Sequence, residues 1–142
     1  MSRKKDLFLL IPLALIIAGI VLYAWQRRYR SVTEKLLIRL NGTSFMAASV
    51  ENNGSCSLTT GGLRNAVILD ENGKEISSTE LSVGDYVMIT TDNYVLYSYP
   101  SQFPNVYKVR KTGRSDTALA EQIYQEYQAE MQAFENYTSK KA

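Results

Sequence analysis

Ten of the 142 residues are tyrosine, and Tyr94, Tyr97, Tyr99 and Tyr107 crowd around one segment, Ser98-Tyr99-Pro100-Ser101-Gln102. In an extended chain Tyr97 and Tyr99 fall on the same side, and Lys108 and Arg110 share a side of the run that follows. Rings for stacking beside cations for pairing are what small β-barrels offer oligosaccharides or single-stranded nucleic acids. Tyr97, Tyr99, Lys108 and Arg110 are therefore the candidate ligand surface. The competing reading has the rings covering the domain's own edges and the cations solvated or paired with an acidic stretch downstream.

Covalent or acid–base chemistry has little to work with. The chain has no histidine, which removes the usual base near neutral pH, the Ser-His-Asp and Cys-His arrangements and most zinc sites. The single cysteine, Cys56, has no partner for an internal disulfide and reads as a small strand residue between Ser55 and Ser57. Asp70, Glu71 and Glu75 lack the ordered spacing of a calcium loop, and Gly84-Asp85 reads as a turn. Spacing locates no acid–base pair. The expectation is a protein without catalytic residues, metal or cofactor.

The elements that must carry this surface begin with a membrane segment. Leu7 to Trp25 is free of charge; as a helix it covers ~28 Å, against the ~30 Å of a bilayer's hydrocarbon core. Its leucines, isoleucines, phenylalanine and valine contribute about −4 to −7 kcal/mol toward insertion. Tyr23 and Trp25 stand where aromatic rings favour the headgroup region. A cleaved signal peptide would have a shorter apolar core and a small residue where Leu22 stands, so an uncleaved single-span anchor is expected. Membrane lipid is the expected partner of residues 7–25. Arg3, Lys4 and Lys5 precede the span, and Arg27, Arg28, Arg30, Lys35 and Arg39 follow it. By count alone the C-terminal side faces the cytoplasm, whereas a short basic tail is also that of a signal anchor that sends the following domain across, so the orientation is left open.

Residues 1–6 then form a basic tail and residues 26–43 a linker. Within the linker, Ser31 and Glu34 suggest a capping box, and Leu36, Leu37 and Leu40 follow at helical spacing, so a short membrane-adjacent helix is expected, with a strand over Leu36 to Leu40 as the alternative. From 44 to 111 the pattern is one of short β-prone runs between turns: Ser44 to Val50, Ser55 to Thr60, Ala66 to Leu69, Lys74 to Ser77, Tyr86 to Thr91, Tyr94 to Ser98 and Asn105 to Arg110. Tyr86 to Thr91 is apolar on both faces and so reads as a central strand. The fold class expected is mainly β, a small antiparallel OB-like barrel preceded by a transmembrane helix and followed by an amphipathic one.

That last helix spans 115–138, capped by Ser115 or Asp116. Ala120, Tyr124, Tyr127, Met131 and Phe134 form an apolar stripe with spacings of four and three. It packs on the protein's own β domain or on a partner helix, including a second copy, which makes Tyr124, Tyr127, Met131 and Phe134 the candidate helix interface. A net charge of +2 is too small to imply nucleic acid.

The run Leu81-Ser82-Val83-Gly84-Asp85-Tyr86-Val87, then a hairpin, then Ser98-Tyr99-Pro100-Ser101-Gln102, resembles a domain of unknown function in small exported, membrane-anchored or lipid-anchored proteins of Gram-positive bacteria. Its pattern is a Gly-Asp-x-Val stretch, a strand, a turn and an acidic residue before Ser-Tyr-Pro-x-Gln. The likeness covers 44–111 and is specific over the last third; Tyr97 stands where the acidic residue is expected, so no role of that carboxylate carries over. The resemblance implies an extracytoplasmic domain of the bacterial cell envelope and supplies no activity. A non-enzymatic, single-pass binding or scaffolding protein is the leading expectation. An OB-type domain binding envelope polysaccharide, or single strands if the domain were cytoplasmic, is the alternative.

Overall fold

The apolar run at the N-terminus forms one continuous helix, α1 (Arg3–Arg28), with Pro12 inside it. Its Phe8–Gln26 stretch has a mean hydropathy of 2.5, is exposed along its whole length and is long and apolar enough to cross a membrane. Trp25 and Tyr29 meet edge to face at its C-terminal end, 5.2 Å between ring centres. The computed structural model describes residues 3–141, with the side chains of 3–7, 27 and 28 left out. The start of the expected basic tail and the cations flanking the span, Arg3, Lys4, Lys5, Arg27 and Arg28, thus lie outside the described side chains.

The chain divides into two compact units between Arg30 and Ser31. The second unit is a mixed sheet of seven strands followed by a helix. The strands are β1 (Arg30–Asn41), β2 (Ser44–Val50), β3 (Cys56–Gly62), β4 (Val67–Leu69), β5 (Asp85–Asp92), β6 (Ser101–Gln102) and β7 (Val106–Ser115), and the helix is α2 (Thr117–Lys141). Their order across the sheet is β4-β7-β5-β1-β2-β3-β6.

Three expectations are corrected. Residues 30–41 are not a linker helix but the middle strand of the sheet. Leu36, Leu37 and Ile38 are all buried, because successive side chains of a strand covered on both faces each meet a core. The sheet is neither closed nor wholly antiparallel: β4 runs parallel to β7, and β6 parallel to β3. Tyr94 to Ser98 is an irregular loop closed by a bridge between Leu96 and Gln102, not a strand.

Two apolar clusters hold the unit together. On one face Leu37, Phe45, Ala47, Ile68, Val87, Ile89, Phe103, Val106 and Val109 join residues of five strands into one core. The sheet must curl to achieve this. Gly61 of β3 shows how tightly: a Cβ there would lie 2.8 Å from the Phe45 ring and 3.0 Å from Val106 Cγ2 of β7, four places away in the strand order. On the opposite face Leu36, Ile38, Ala48 and Leu58 bury Ala120 and Ile123 of α2.

The start of α2 is fixed by Gly84 and Asp116. Gly84 donates to the Leu37 carbonyl and accepts from the Asp116 amide, both at 2.8 Å. The Asp116 carboxylate caps the helix through the Leu119 amide at 3.0 Å. Gly84 has a φ of +97°, and a Cβ would sit 2.7 Å from Thr117 Cα, so only glycine fits.

Candidate functional site

The Ser98–Gln102 segment acts first as a latch. Ser98 donates to the Pro100 carbonyl at 2.7 Å. Ser101 Oγ bonds both the Leu58 carbonyl and Thr59 Oγ1 at 3.0 Å, and Thr59 is buried. Gln102 pairs with Leu96 through the backbone. Tying the segment to β3 turns the Tyr99 hydroxyl toward α2, where it donates to Glu130 Oε2 at 2.8 Å.

A cleft of about 200 Å³ opens there, lined by Gly54, Cys56 and Leu58 of the second hairpin, by Tyr99, and by Ile123, Glu126, Tyr127 and Glu130 of α2. The rings of Tyr99 and Tyr127 stand 6.1 Å apart and tilted, and Tyr124 continues the row at 6.3 Å from Tyr127. Desolvation pushes the Tyr99 phenol up to about 12, helped by its hydrogen bond to Glu130 and by the charges of Glu130 and Tyr127. It holds its proton and serves as a donor. Partial desolvation, with the Glu126 charge adding to it, likewise pushes the exposed Cys56 thiol up, which keeps it from being a thiolate nucleophile. Two carboxylates beside aromatic rings suit a cationic group, an amine or guanidinium, by charge and by cation–π attraction. Among the described residues no three of His, Cys, Asp or Glu gather as a metal site.

The four residues expected to form the ligand surface are divided between two elements. Tyr97 is fully exposed on the loop after β5, and Tyr99 is engaged with α2. Lys108 and Arg110 are exposed on β7, where Arg110 Nη2 donates to the Glu71 carbonyl at 2.9 Å. The helix stripe is divided along its length. Tyr124 and Tyr127 pack with Leu119 against the sheet, and Arg39 donates to the Tyr124 hydroxyl while lying 4.8 Å over its ring. Met131 is half-buried, but Phe134 is 62% exposed.

Sequence reasoning passed over Ile123, Glu126 and Glu130. Ile123 stands three residues after Ala120, a legible helical signal, whereas the two glutamates acquire meaning only once Tyr99 is brought to them. Compared with protein-family models and with curated proteins, the chain matches none.

Proposed function

We propose that this chain is a single-pass, membrane-anchored binding module without catalytic activity, its OB-like β domain standing on the outer side of the cell membrane. The observation carrying the proposal is the pairing of an exposed, uncharged span, Phe8–Gln26, with a separate unit that has its own core. An exposed apolar helix of this length is suited to the hydrocarbon of a bilayer rather than to water. The OB-like reading draws support from the curl that brings β3 against β7. The outward orientation draws on the resemblance carried by Gly84-Asp85-Tyr86-Val87 and Ser98–Gln102. The cleft between Tyr99 and α2 is the binding site the geometry favours, for a cationic group of a partner protein or envelope polymer. The polysaccharide surface of Tyr97, Tyr99, Lys108 and Arg110 has less support, because Tyr99 and Arg110 already spend hydrogen bonds within the chain.

Alkaline carbonate extraction of membranes, followed by protease treatment of intact protoplasts, tests this. The chain should stay in the membrane pellet, and the domain should be digested from outside. Recovery of a soluble product beginning after Ala24, or protection of the domain until lysis, overturns the proposal.

A further inference from the structure

The loop Asn93–Tyr99 carries no charge, yet it exposes Tyr94 by 58%, Val95 by 38%, Leu96 by 47% and Tyr97 completely. A contiguous group of exposed apolar side chains on a small domain marks a contact surface. Where the loop stands follows from its base. Asp92, the last residue of β5, accepts hydrogen bonds on its carboxylate from Asn105 Nδ2 and the Tyr107 hydroxyl, both at 2.8 Å. Its carbonyl accepts from Ser31 Oγ at 3.4 Å. Ser31 is the third residue after the end of α1, and three residues of extended chain reach at most ~10 Å.

We infer that this loop is a lipid-contacting surface: Tyr94, Val95, Leu96 and Tyr97 dip into the headgroup region of the bilayer that α1 spans. The inference rests on the membrane-anchored reading of α1. Chain length alone holds the base of the loop within reach of the membrane surface. The composition fits, since tyrosines with aliphatic neighbours and no charge are what the interface between headgroups and hydrocarbon accepts. A further exposed apolar residue of β1, Val32, follows Ser31 directly. The consequence is a domain held at the bilayer by two points, the covalent tether and the loop.

Depth-dependent quenching by brominated lipid tests this on the full chain in phosphatidylglycerol–phosphatidylcholine vesicles. Trp25 is the only tryptophan and reports the anchor directly. In a Trp25→Phe background, Tyr97→Trp reports the loop, and Thr43→Trp reports the far end of β1, twelve positions beyond Ser31. Tyr97 is fully exposed, so tryptophan is accommodated. The expected result is emission from Tyr97→Trp reduced about twofold by lipid brominated near the carbonyls, with Thr43→Trp unchanged. Quenched Trp25 with unquenched Tyr97→Trp overturns the loop inference and leaves the anchor standing, as a loop reserved for a protein partner would require. Equal quenching at Tyr97→Trp and Thr43→Trp also overturns it. Unquenched native Trp25 overturns the anchored reading, and the inference with it.

Discussion

The two helices have nearly the same length, 26 residues in α1 and 25 in α2, and opposite fates. α1 is apolar on every side and exposed throughout its span. α2 is apolar on one side only, and its first turns bury Ala120 and Ile123 against the sheet while Phe134 and Tyr137 farther along stay open. A helix that is apolar all round has no face to give water and needs lipid; a helix with one stripe needs a partner only as wide as that stripe. The sheet supplies that partner as far as Tyr127.

Charging α1 breaks the comparison most severely. Leu15→Arg with Ile16→Arg costs about 5–7 kcal/mol of insertion free energy, comparable with the whole gain from its apolar residues. Carbonate extraction should then release the chain, while thermal unfolding of the β unit stays unchanged, because that unit has its own core. In α2 the outcomes should reverse. Ile123→Ala should cost about 3 kcal/mol and lower the unfolding midpoint by roughly 10 °C without altering membrane association. Phe134→Ala, on the same helix but beyond the sheet, should stay within about 0.5 kcal/mol.

The seat of α2 can be tested without touching either apolar face. Gly84→Ala must adopt a left-handed φ and push against Thr117 backbone. An expected loss of about 2 kcal/mol, read by denaturant melts, would make the Gly-Asp turn a structural joint. Asp85 fits that role, accepting the Ser82 amide at 2.9 Å and pairing with Lys111 at 3.5 Å.

What could be read in the chain follows the range of the interactions. α1, β2, the β5 alternation and the Asp116 cap depend on neighbours in sequence, and all were legible. β1 was legible only as the alternative strand over Leu36 to Leu40, because Ser31 and Glu34 imitate a capping box while the run Leu36-Leu37-Ile38 declares a doubly covered strand only when both coverings are known. β3 runs on through Gly61 and Gly62, past the expected end at Thr60, and at Gly61 the Phe45 ring leaves no room for a Cβ. The cleft was illegible for the same reason. Tyr99 and Glu130 are 31 residues apart and meet only because Ser101 fastens the intervening loop to β3.

That meeting sets the smallest and most specific expectation. The Tyr99 phenol rises from 10.0 in the unfolded chain to about 12 in the fold, so the folded state binds its proton more tightly. The stabilisation is fully present below pH 10 and is lost as pH rises through about 12. Tyr99→Phe keeps the ring against Tyr127 and removes only the hydroxyl, so it should cost about 0.5 kcal/mol near neutral pH, as befits a largely exposed hydrogen bond. The wild-type advantage should shrink across that alkaline window. The difference in phenolate absorbance between the two proteins should place the missing titration near pH 12. A titration at the ordinary 10.0 would mean that Tyr99 does not hold Glu130, and the contact between the loop and α2 would then rest on the tilted Tyr99–Tyr127 ring pair.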